Sequence, residues 1–137
     1  MALRLFTALC LMAPMLLLGP QITAEQLQEI QFQLGVKNEI YNSPFVVYDA
    51  TCKPGGVLLG AMRRLHQTNN DFKFTVTENN DYGYYLESVN GLAGNNAEHT
   101  YWQILSHVDG TFTPTPVGVG CYIPKANEVI VFNFTTW

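Results

Sequence analysis

The chain has 137 residues, 7 of them basic and 11 acidic, with a formal net charge of −4. That length suits one compact domain, and the acidic balance excludes a surface built to neutralise nucleic-acid phosphates or to lie on an anionic membrane. So small a negative surplus serves solubility and says little about partners.

The first segment sets the compartment. Arg4 is a short positive start, Ala8 to Leu18 is an apolar run broken only at Pro14, and Thr23-Ala24 offers a small residue for cleavage. The run is shorter than the roughly 20 residues that cross a bilayer, and Pro20 and Gln21 end it. Residues 1–24 are therefore read as a signal peptide. Residues 25–137 form one domain, expected to be secreted and extracellular with no membrane insertion.

Cys10 leaves with the signal, so Cys52 and Cys121 are the thiols of the mature chain. Two cysteines in an oxidising compartment are expected to pair. A bridge over so long a loop is worth about 4 kcal/mol in the chain-entropy model. A catalytic thiol or a metal site needs a His or second Cys at ligand spacing, and neither cysteine has one.

Ile30, Phe32, Leu34 and Val36 alternate with polar residues and predict a first strand. Asn38 to Pro44 reads as a turn, and Phe45-Val46-Val47-Tyr48 as the returning strand of a hairpin. After Lys53-Pro54-Gly55-Gly56, the residues Val57, Leu58, Ala61, Met62 and Leu65 recur at helical spacing through His66. No Lys-Ser or Lys-Thr follows the glycine pair, so it reads as a tight strand-to-helix turn rather than a phosphate cradle.

Phe72 to Thr77 alternates, Glu78 to Asp81 is a polar turn, and Tyr82-Gly83-Tyr84-Tyr85-Leu86 is a further, aromatic-rich strand. Gly91 to Glu98 is loop, Tyr101 to His107 strand, Asp109-Gly110 a turn, and Asn127 to Phe134 a last alternating strand. One helix among several strands predicts the α+β class. Asn133-Phe134-Thr135 meets the acceptor rule for N-glycosylation, so Asn133 is a candidate glycan site.

A Gly-rich helix start, Phe72-Lys73-Phe74, Tyr82-Gly83, Tyr101-Trp102-Gln103, Tyr122-Ile123-Pro124 and Asn133-Phe134-Thr135 occur in this order from about Phe45 to the chain end. In that order the chain resembles the C-terminal β domain of the cobalamin carriers, the intrinsic factor, haptocorrin and transcobalamin family. The resemblance implies a β-grasp-like mixed sheet with one helix packed across it. It also implies a secreted cobalamin-binding or transport protein whose single domain is half of a carrier's site, because the family's helical barrel has no counterpart in the chain as given. A separate helical partner, or a second copy as a dimer, is then expected to supply the other half. His107 stands where the family tends to have a small residue.

Ligand contacts carried over from the family fall on Trp102, Gln103 and Ile104, and on the strand of Tyr82, Tyr84, Tyr85 and Leu86. The chemistry agrees, since a corrin is a broad apolar ring edged with amides. Trp102 offers a plate and an indole donor, Gln103 a donor and an acceptor, and the tyrosines either surface. In an alternating strand only one of Trp102 and Gln103 faces the core, and Tyr84 and Tyr85 likewise point to opposite faces. His66, His99 and His107 have no second ligand at metal spacing, and no metal is expected. A nucleophile elbow is absent, so no enzyme is expected and cobalamin is a carried ligand rather than a catalytic cofactor. The alternative is an extracellular interaction module that kept the scaffold and binds a protein or another small molecule.

Overall fold

The computed structural model describes residues 28–137, so the expected signal segment lies outside the described residues. Strands β1 (Ile30–Asn38) and β2 (Val46–Cys52) form an antiparallel hairpin with Leu34 opposite Tyr48 and Phe32 opposite Ala50. The hairpin loop turns at Asn42, whose φ is 53°. Asn38 Oδ1 supports it by accepting the Ile40 and Tyr41 amides, both at 2.8 Å.

Helix α1 (Leu58–Thr68) follows and buries Leu58, Leu59, Ala61, Met62 and Leu65 against the inner face of β2. Its N-terminus has no side-chain cap. The Leu58 and Leu59 amides donate instead to the Tyr122 and Val119 carbonyls at 2.7 and 2.8 Å. Those amides, which a phosphate would need, are thereby satisfied within the chain. The turn reading of Gly55-Gly56 holds. Gly55 has φ 75°, and a Cβ on Gly56 would lie 3.0 Å from the Lys53 carbonyl oxygen.

Strands β3 (Phe74–Asn79), β4 (Gly83–Val89) and the two-residue β5 (Leu92–Ala93) make a three-stranded antiparallel sheet with a register shift between Thr75 and Val76. Phe72, expected to open β3, instead lies ahead of it as a fully buried plug, with its ring edge-on to Tyr48 at 5.2 Å. Strands β6 (Thr100–Val108), β7 (Thr111–Pro114) and β8 (Val129–Thr136) complete the larger sheet, in the order β2-β1-β8-β6-β7. Its β1/β8 pair is parallel and its other pairs are antiparallel, so the sheet is mixed as expected.

The core lies where Phe32, Leu34 and Val36 of β1, Tyr48 and Ala50 of β2, Ile130, Phe132 and Phe134 of β8, and Trp102 of β6 meet α1 and the smaller sheet. The α+β class is as expected. The strands, however, divide into two sheets, because β4 and β6 come together without forming a ladder. Among the described residues no helix is long and apolar enough to cross a membrane.

The segment between β7 and β8 is pinned by a buried carboxylate. Glu128 is 5 % exposed. It accepts hydrogen bonds from the Tyr122 hydroxyl, the Ser106 hydroxyl and, at 2.8 Å, the Lys125 amide. Three donors satisfy a charge that would be costly to bury alone. They also hold the Tyr122-Ile123-Pro124 turn where its carbonyl can cap α1.

Candidate functional site

Strand β6 is paired with β8 along nearly its whole length, but with β7 only from Leu105 onward. The other edge of its first half is therefore open. Thr100 uses that edge to exchange amide bonds with Asn95, and the Ile104 carbonyl accepts the Thr115 amide at 3.0 Å. Main-chain groups two residues apart point the same way in a strand. The Trp102 N–H and C=O therefore aim off the same edge, away from the β8 ladder, and among the described residues no other backbone hydrogen bond engages them.

Opposite that edge runs β4, and residues 114–118 close the third side. The result is a groove of about 290 Å³ lined by Tyr84, Tyr85 and Leu86 of β4, by Tyr101 to Ile104 of β6, and by Pro114, Thr115, Val117 and Gly118. Six of the seven residues expected to contact a ligand thus border one groove. Tyr82 does not: it stands 89 % exposed at the tip of the β3–β4 hairpin.

The roles within the groove differ from the sequence expectation. Trp102 is only 5 % exposed. Its ring packs on Phe134 with centroids 5.0 Å apart, and its Nε1 donates to the Leu92 carbonyl at 2.8 Å. The indole donor is thus spent inside the protein, and Trp102 meets the groove from its floor. Gln103 borders the groove, but its side chain lies on the opposite face of the sheet and accepts a hydrogen bond from Asn133 Nδ2 at 3.3 Å. Plate and amide therefore do not serve one ligand face, because strand alternation separates neighbours.

Tyr84 is also more structural than expected. Its ring is half-buried, with the Arg63 guanidinium 5.8 Å above it. A Cβ on Gly120 would come within 3.1 Å of that ring, and one on Gly118 within 3.1 Å of the Tyr84 carbonyl oxygen. Both glycines let the 118–120 loop lie flat on β4. Leu86 is core. That leaves Tyr85, half exposed, and the partly exposed Ile104 as side chains free to touch a ligand. The wall of Pro114, Thr115 and Val117 was missed from sequence. The Gly118–Gly120 pair was the available signal, since it marks close backbone approach.

Cys52 and Cys121 are both free thiols in the structure, so the expected bridge is not formed. Cys52 points into the core and is 2 % exposed, whereas Cys121 is exposed. Burial pushes the Cys52 thiol up, partly offset by Arg64, which leaves it a poor nucleophile. Asn133 does not suit a glycan either. It is 4 % exposed, and its Nδ2, the atom a sugar would occupy, donates to Glu39 Oε1 at 2.9 Å and to Gln103. The same Asn133, with Thr135, holds the Glu39 carboxyl below the usual glutamate range.

The histidines lie apart. His66 bonds the Phe72 carbonyl through Nδ1, His99 packs on Trp137, and His107 stacks on Phe112. Among the described residues no cluster of three His, Cys, Asp or Glu side chains could hold a metal. A second depression of about 260 Å³ lies on the other side of Trp102, between the β1–β2 loop and residues 89–92. It has neither the open strand edge nor the expected residues of β4.

Two sheets, one helix and a groove between strand edges make this a small α+β domain with an open groove on its surface. Residues 55–136 match the family described as "Domain of unknown function (DUF4430)", and the chain belongs to it. It is homologous to the C-terminal region of the intrinsic factor and transcobalamin proteins. It is 36 % identical over 92 residues to the cobalamin binding intrinsic factor of Mus musculus, covering 67 % of this chain and 21 % of that protein. It is 32 % identical over 81 residues to human transcobalamin-1, covering 58 % of this chain and 18 % of that protein. The chain thus spans about a fifth of these relatives' length. Among solved structures it is similar to haptocorrin in complex with Cbi, with a TM-score of 0.68 and 26 % identity over 80 % of this chain and 26 % of that one.

Proposed function

We propose that this chain is a secreted binding protein, not an enzyme, and that it carries cobalamin or a related corrinoid in the groove between β4 and β6. The observation that carries the reading is the meeting there of Tyr85, Ile104 and the unpartnered Trp102 main chain. A corrin edge presents primary amides. One such amide can accept from the Trp102 N–H and donate to its carbonyl while ring carbons rest on Tyr85, Ile104 and Val117. Kinship with proteins named as cobalamin carriers supports the choice of ligand.

Size sets the limit of what the groove does. Sites that enclose a ligand run to about 300–1,000 Å³, and this one is at the bottom of that range and open. It therefore grips one edge of a corrinoid. A helical-domain partner or a second copy is proposed to cover the far side, which would raise retention by making the second contact intramolecular within the complex.

Amide hydrogen exchange tests the reading at one atom. Added cobalamin is expected to slow exchange at the Trp102 N–H more than at Gln33 or Asp49, which lie on β1 and β2 away from the groove. Slowing spread evenly over the sheet, or none at Trp102, removes the groove as the site.

A further inference from the structure

Tyr82, the aromatic the groove leaves out, is the most exposed large hydrophobic residue among the described residues, at 89 %. Among the described residues its phenol makes no hydrogen bond and no ring contact, and it sits at the tip of a hairpin that projects it. Asn79 Oδ1 accepts the Asp81 and Tyr82 amides at 2.8 and 3.0 Å, and Gly83 leaves the turn at φ 80°. The flanks are acidic: Asp81 directly precedes it, Glu78 lies four residues before and Glu87 five after, all exposed. Between Lys73 and Lys125 the sequence has no Lys or Arg.

We propose that Tyr82 is a tyrosine O-sulfation site. A sulfotransferase must bring a free phenol to an anionic phosphosulfate donor, so its cleft is basic and selects tyrosines among carboxylates on protruding chain. Tyr82 meets each requirement. The other exposed tyrosines do not: Tyr41 stacks on Phe134 and has Lys37 nearby in sequence, and Tyr85 is held within the β3–β4 ladder. In the reaction the phenolic oxygen forms a bond to sulfur as the sulfur–oxygen bond to the nucleotide phosphate breaks. The electron pair leaves on that phosphate and the phenol proton passes to a base of the transferase. The product is a fixed negative charge on an already acidic tip, suited to a basic, Arg-bearing partner. The proposal rests on the secretory route argued above, because donor and transferase meet the chain there.

Purified full-length chain incubated with a tyrosylprotein sulfotransferase and radiolabelled activated sulfate tests the site directly. Wild type is expected to take up close to one sulfate per chain, Tyr82→Phe to lose the label, and Asp81→Asn to label several-fold more slowly. Tyr82 is 89 % exposed, and among the described residues its only hydrogen bond is through the main-chain amide, which Phe keeps; unchanged circular dichroism of Tyr82→Phe will show that the fold is intact. No label on wild type, or equal label on Tyr82→Phe, overturns the proposal. Corrinoid titration of the same samples keeps the two readings apart: a labelled Tyr82 on a chain that binds no corrinoid upholds the sulfation site and removes only the ligand reading.

Discussion

Trp102→Ala is expected to destabilise the whole domain rather than act on the groove alone. The side chain is buried, packs on Phe134 and donates to the Leu92 carbonyl. Emptying such a site costs about 3–5 kcal/mol, and the lost hydrogen bond adds about 1 kcal/mol. Domains of this kind have about 5–15 kcal/mol in total, so the variant sits near its folding threshold. Tyr85→Ala removes a half-exposed ring from a strand surface, a change worth about 1 kcal/mol or less. Urea unfolding followed by circular dichroism compares the two without relying on the deleted indole. An unfolding free energy for Trp102→Ala within about 1 kcal/mol of wild type, at unchanged slope, would refute its place in the core.

Thiol labelling of native protein should modify Cys121 and spare Cys52, with Cys52 reacting only on unfolding; a chain with no reactive thiol until it is reduced would contradict the free-thiol structure. Gly94→Ala would bring a Cβ within 2.8 Å of the Thr100 carbonyl oxygen. It should cost about 1–3 kcal/mol as overpacking against backbone, and a neutral result in thermal melting would show that residues 94 and 100 are not so close. Glu39 has a folded pKa below its unfolded value because Asn133 and Thr135 donate to it. Its contribution is therefore present above the unfolded value and lost as pH falls through the folded one. Glu39→Gln should flatten the acid limb of the stability profile just below the ordinary glutamate range, and an identical limb in both proteins would remove that linkage.

Strand alternation made β1 and β8 legible, since Phe32, Leu34 and Val36 and then Ile130, Phe132 and Phe134 all turned inward. It did not say which of Trp102 and Gln103 faced in, because a period of two defines two faces and not which is covered. Strand β7 is exposed at every position, and β5 has two residues, so neither carried a pattern to read. The division into two sheets reflects β4 and β6 meeting without pairing, a long-range relation that no local window contains. Tyr84 is structural for the same reason, as Gly118 and Gly120 lie far along the chain from it. The cysteine pairing followed from compartment, while the side-chain directions that decide it are tertiary.

Titration of the purified chain with cobalamin, following the corrin absorption bands and Trp fluorescence together, tests the central claim most directly. Saturable change at about micromolar ligand, a binding free energy of about −8 kcal/mol, is the expected result, weakened by Tyr85→Ala while Gln103→Ala, which changes the opposite face of the sheet, leaves it unaltered. No change in either signal at ligand a hundredfold higher would contradict corrinoid binding by this groove.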